Sequence, residues 1–150
     1  MTGESPAGID IENVTGWLKS RTSAEGQLLF DLVTHGRSNL TYVVSDEKDD
    51  RWVLRRPPTG HVLASAHDMG REHRIISALQ ETGVPVPGVV GMCNDESITG
   101  APFFVMSFVD GHIVKDIEDS KAFSPDERRV QSESLVDAVS YTHLTLPTKA

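Results

Sequence analysis

A chain of 150 residues and 16.4 kDa, 38% apolar and 24% charged, has the size and composition of one soluble domain and excludes a large multidomain machine. A formal charge of −8, from 14 basic and 22 acidic side chains, argues against nucleic acid or an anionic membrane as a partner of the whole surface. No run approaches the roughly 18 apolar residues of a spanning helix, the start Met1-Thr2-Gly3-Glu4 lacks signal-peptide features, and the single cysteine, Cys93, allows no internal disulfide, so a cytoplasmic location is expected.

Residues 1–9 are small and polar and read as a frayed arm. Asp10 followed by Ile11, Val14, Trp17 and Leu18 predicts a short amphipathic helix. Two β-rich runs, Leu28–Val33 and Leu40–Val44, flank His35-Gly36-Arg37-Ser38-Asn39 and read as a hairpin. After the polar turn 46–50, Arg51-Trp52-Val53-Leu54-Arg55-Arg56 adds a third strand, stopped by Pro57-Pro58. From Asp68 the period lengthens, with Met69, Ile75, Ile76 and Leu79 on one stripe of a helix ended by Gly83 and Pro85. Two more β-rich runs follow, Val89–Cys93 and Phe103–Val109, and Ser124-Pro125-Asp126-Glu127 is a strong helix start. The order predicts an α+β fold: a mostly antiparallel five-stranded sheet, one main helix, and the start of a further helical region.

Glu72 falls in the middle of the apolar stripe of the main helix, where an unpaired carboxylate would be costly to bury. Either the helix is rotated and Glu72 is a solvated edge residue, or a cation on the third strand meets it. Arg55 and Arg56 are the candidates, and alternation puts them on opposite faces of the sheet, so only one can face the helix.

Gly36-Arg37-Ser38-Asn39-Leu40-Thr41-Tyr42, Val53-Leu54-Arg55-Arg56-Pro57-Pro58, Met69-Gly70-Arg71-Glu72, Val84-Pro85-Val86-Pro87 and Gly100-Ala101-Pro102-Phe103-Phe104-Val105-Met106 come in an order and spacing that resemble the N-terminal lobe of the protein-kinase-like fold. In detail they are similar to the aminoglycoside phosphotransferase family, especially its kinase-like domains found alone in bacteria or fused to acyl-CoA dehydrogenases. The resemblance covers about residues 25–115. It implies ATP as cofactor, with Gly36, Arg37, Ser38 and Asn39 as the loop above the phosphates and Arg55 at the position of the family's nucleotide-binding lysine. It makes Glu72 the partner that orients Arg55, places Met106 at the back of the adenine pocket, and gives the backbones of Ser107 and Val109 to the adenine edge. Arginine in place of lysine offers a planar fork instead of a point charge.

The family's second lobe supplies the catalytic aspartate and the Mg2+ ligands, within His-Gly-Asp-x-x-x-x-Asn and a later aspartate. Neither motif occurs in this sequence, and Asp116-Ile117-Glu118 comes too early to replace them and reads as a solvated turn, as do Asp119 and Asp126. Six histidines show no His-x-x-x-His pair, so no catalytic or metal-binding residue is assigned. Residues 139–148 back-translate into a sequence resembling the read-through of a sequencing-library adapter.

The expected organisation is an arm and short helix (1–24), a nucleotide-binding lobe (25–111), a linker and first helix of a truncated second lobe (112–138) and a non-native tail (139–150). The expected function is ATP-dependent phosphoryl transfer to the hydroxyl of a small molecule, by a parent that contains the missing lobe. This chain would be inactive on its own. The alternative is a stand-alone nucleotide- or protein-binding module without catalysis.

Overall fold

Burial alternates along two runs: Leu40, Tyr42, Val44, Trp52, Leu54 and Arg56 are buried, while Thr41, Val43, Val53 and Arg55 between them are half-buried. A computed structural model, which describes residues 5–33, 39–60 and 68–145 and side chains as far as residue 141, shows why. These runs are β2 (Leu40–Ser45) and β3 (Arg51–Arg56) of a five-stranded sheet. With β1 (Leu29–Leu32), β4 (Val89–Cys93) and β5 (Phe103–Ser107), the strand order is β1-β2-β3-β5-β4, and the pairings described are antiparallel. Both faces of the sheet are in use, but only one carries the main core.

That core lies on the back face. Asp10 caps helix α1 (Ile11–Lys19) by accepting from the Asn13 N–H at 3.0 Å, and Val14, Trp17 and Leu18 turn onto the sheet. The Trp17 ring meets Phe103 edge-on at 5.0 Å, among Tyr42, Val44, Leu54 and Val105. On the front face lies helix α2 (Met69–Leu79), capped by Asp68 and seated on β4 and β5, with His73 edge-on to Phe104 at 6.1 Å. Its buried residues are Met69 and Leu79; Ile75, expected on the stripe, falls at its edge and is 40% exposed.

Three local features differ from the sequence expectation. Residues 5–9 are not frayed: Tyr42 donates its hydroxyl to the Ala7 carbonyl at 2.7 Å, and Ile9 is buried. A one-turn helix α3 (Glu96–Thr99) separates β4 from β5, and another, α4 (Ile117–Ser120), starts at Asp116, which caps it. The last strand ends at Ser107, two residues short of Val109. Helix α5 (Pro125–Thr145) begins with the reciprocal Ser124–Glu127 bonds that its sequence predicts, and it runs without interruption across the expected seam at residue 138.

Asp46 organises the turn between β2 and β3. One carboxylate oxygen accepts from the Glu25 N–H at 3.0 Å, the other from those of Lys48 and Asp50 at 2.9 and 3.0 Å. These bonds, the Glu25 one foremost, hold its carboxyl below the usual carboxylate range. A depressed folded-state pKa stabilises the fold above the unfolded value, and the gain is lost as pH falls through the folded value. Asp46→Asn, which replaces one acceptor by a donor, is therefore expected to lower the melting temperature at pH 7. The gap from wild type should narrow as pH falls below about 4, and a gap constant from pH 7 to pH 3 would show that the charge contributes nothing.

Candidate functional site

The register of β2 with β3 sets Thr41 opposite Arg55, and that of β3 with β5 sets Phe104 opposite Arg55 and Met106 opposite Val53. Cross-strand partners share a face, so Thr41, Val53, Arg55, Phe104 and Met106 all lie on the front, beneath α2. Arg56, one residue on, lies on the back. Between the two arginines, then, it is Arg55 that faces the helix.

The Arg55 guanidinium grips Glu72 with two donors, Nε to Oε2 at 2.8 Å and Nη2 to Oε1 at 3.3 Å. Its Nη1 donates to the Thr41 hydroxyl at 3.2 Å. Asn39 closes the cluster by donating its side-chain amide to Glu72 Oε1 at 2.8 Å. The two charged side chains are about a third exposed, at 28% for Arg55 and 31% for Glu72. Two-donor geometry fixes the plane of the guanidinium, which a lysine could not do. The result is an oriented cation on an open sheet face, able to accept an anionic oxygen from the solvent side.

At the far edge of the face, Phe108 donates its N–H to the Arg51 carbonyl at 3.3 Å. Alternation along an antiparallel ladder then turns the backbone groups of Ser107 away from β3, and its N–H meets the Gly88 carbonyl at 2.7 Å. The Ser107 hydroxyl accepts from the Gly88 N–H at 2.8 Å. Val109 lies just beyond the strand end and is exposed.

Of the residues singled out in the sequence, Asn39, Arg55 and Glu72 are brought into one hydrogen-bonded cluster, and Met106 shares its face. Asn39, expected in a loop above phosphates, has its side-chain amide on Glu72. Ser107 and Val109 stand at the strand end, with the Ser107 N–H engaged by Gly88. Gly36, Arg37 and Ser38 lie outside the described residues. Thr41 was not singled out as a site residue; the β2–β3 alternation that pairs it with Arg55 was the available signal. No helix among the described residues is long and apolar enough to cross a membrane.

A family model described as the phosphotransferase enzyme family matches residues 30–149. The chain belongs to that family. Similar proteins include acyl-CoA dehydrogenase family member 10 of Mus musculus, 45% identical over 102 residues, which are 67% of this chain and 9% of that protein. Acyl-CoA dehydrogenase family member 11 of Homo sapiens is 34% identical over 108 residues, 72% of this chain and 14% of that one. In structure, the chain is similar to a Ralstonia eutropha protein assigned to the aminoglycoside phosphotransferases, with a TM-score of 0.69 and 27% identity over 89% of this chain and 38% of the other. This member of the phosphotransferase enzyme family thus spans about a tenth of the curated relatives and well under half of the structural one, and the sheet with α2 on its front face is a kinase-like fold.

Proposed function

We propose that this chain is the nucleotide-binding lobe of an ATP-dependent phosphotransferase, whose full-length form moves the γ-phosphoryl group of ATP to a hydroxyl of a small molecule. The observation that carries this reading is the Arg55 fork held in place by Glu72 on the half-buried front face of the sheet. A cation fixed before the nucleotide arrives costs no ordering when it binds, and preorganised charge is the main contribution a protein makes to phosphoryl transfer. In this role Arg55 holds α- and β-phosphate oxygens, Glu72 keeps its plane, Met106 backs the adenine, and the Ser107 carbonyl and Val109 N–H meet the adenine edge.

ATP carries Mg2+, which neutralises phosphate charge and orients the γ-phosphoryl group. Among the described residues no group of three His, Cys, Asp or Glu side chains is placed to hold a metal ion, and no step through the metal is assigned to this chain. The acceptor proposed is a hydroxyacyl-CoA derivative, in keeping with relatives named as acyl-CoA dehydrogenase family members. The reaction is placed in the cytoplasm.

Titrating ATP into the 15N-labelled chain tests the lobe directly. The Val109 amide and the Arg55 side-chain Nε–H are expected to shift together with a common saturation curve. Movement of neither, with ATP in excess, would overturn the assignment and leave a binding module for some other partner.

A further inference from the structure

The back-face arginine is unlike its neighbour. Arg56 is only 4% exposed, and none of the described carboxylates forms an ion pair with it. Its Nε donates to the Pro57 carbonyl at 3.0 Å, and Nη1 donates to the Gly8 carbonyl and to the Thr99 carbonyl at 2.9 Å. Nη2 has no hydrogen bond among the described residues, yet no fully buried side-chain nitrogen or oxygen there lacks a partner, so Nη2 keeps contact with open space.

Arg56 borders a cavity of about 600 Å³ at the end of the sheet, where β3 gives way to Pro57-Pro58. Arg56 lines it together with Met69 and Gly70, the first two residues of α2. Asp68 caps that helix through the Arg71 N–H, and no bond of the Met69 or Gly70 N–H is found among the described residues. An eleven-residue helix therefore brings two amides with no bond among the described residues, beside its capping Asp68 carboxylate, to the same cavity as a buried guanidinium that has no ion pair among the described residues. Pro58, Met92, Ala101 and Pro102 give the wall an apolar part, while the Asp68 carboxylate, already engaged by the Arg71 N–H, lines it as well. Arg55 and Glu72 are not among the lining residues, so this place is separate from the front-face cluster.

We propose that the cavity is a binding site for a small organic oxyanion, a carboxylate or a phosphate ester with an apolar body, its charged end held by Arg56 Nη2 and the Met69 and Gly70 amides. A bound oxyanion supplies a counter-charge to a buried cation that has no ion pair among the described residues, and the helix amides complete its coordination. The inference does not rest on the nucleotide assignment. Glu96 also lines the cavity, exposed and without an ion pair among the described residues, and it opposes an anion there. Removing its charge should therefore strengthen the site.

The test is a 1H–15N titration of the 150-residue chain with sodium phosphate and, separately, sodium acetate, at ionic strength held constant with sodium chloride. Saturable shifts of the Met69 and Gly70 amides are expected with at least one oxyanion, and the tighter of the two assigns the headgroup class. Glu96→Gln is expected to tighten the curve about threefold, as removal of one exposed opposing charge allows. Ala101→Trp, which puts a bulky ring into the cavity while leaving the Arg56 side chain in place, should abolish the response in a chain that still melts cooperatively. No shift, a linear drift that chloride reproduces, or curves indifferent to Glu96→Gln and Ala101→Trp would each overturn the proposal.

Discussion

Gly8→Ala is expected to destabilise the fold by about 3 kcal/mol, although residue 8 stands near the start of the chain, three residues before the first helix. Gly8 has φ +68°, a left-handed conformation that costs an L side chain about 1–2 kcal/mol. A Cβ there would also fall 2.5 Å from Cζ of Arg56, a side chain packed too tightly to move aside. If the guanidinium shifts, it loses the Gly8 and Thr99 carbonyls and becomes a buried cation with fewer acceptors; if residues 5–9 peel away, Tyr42 and Ile9 lose their cover. Either route is costly. The same substitution at Gly16, inside α1 and with nothing within 4 Å of its Cβ, is expected to stabilise by about 0.5–1 kcal/mol. Urea melts of the two variants should move in opposite directions, and a Gly8→Ala midpoint at or above wild type would show that the arm does not hold Arg56.

The contrast between Gly8 and Gly16 also marks where sequence reasoning works and where it stops. Strands β2 and β3 were legible as β-rich runs whose burial alternates, β5 as a continuous β-rich apolar run, and Asp10, Asp68 and Ser124 announce their helices within three residues. Glu72 was legible as a misfit: a carboxylate on an apolar stripe asks for a cation, and alternation on β3 reduced the choice to Arg55 or Arg56. Periodicity could not decide between them, because that depends on which face of the sheet α2 covers. The arm over residues 5–9 was misread for a related reason. Its partners are 35 to 91 positions away, at Tyr42, Arg56 and Thr99, and small polar residues give no local sign that their carbonyls are needed. Asn39 adds a contact that no local signal announces. Its place beside the hairpin turn was read correctly, but a side-chain amide directed at Glu72, 33 residues on, is a tertiary choice that turn chemistry does not specify.

Arg55→Ala is expected to weaken ATP binding about 10- to 100-fold, the range for loss of hydrogen bonds to a charged group. The effect on stability should be much smaller, roughly 1 kcal/mol, because both members of the pair are about a third exposed and solvent screens them. Melting temperature and ATP affinity thus separate, and a lost fold cannot be mistaken for a lost site. Glu72 is a positioning residue in this account, since its carboxylate touches Arg55 and Asn39 and would repel a phosphate. Glu72→Ala should weaken binding less than Arg55→Ala, and adding it to Arg55→Ala should cost little more, the non-additivity of residues that act through one another. Glu72→Gln, which keeps an acceptor for the fork, should recover part of the loss. Arg55→Lys probes the fork itself: an ammonium keeps the charge but cannot present Nε and Nη2 to Glu72 while reaching the Thr41 hydroxyl, so affinity should fall between wild type and alanine. Unchanged ATP titration in Arg55→Ala would remove the nucleotide role from the front face, leaving the Arg55–Glu72 pair as a clamp that only fixes α2 to β3.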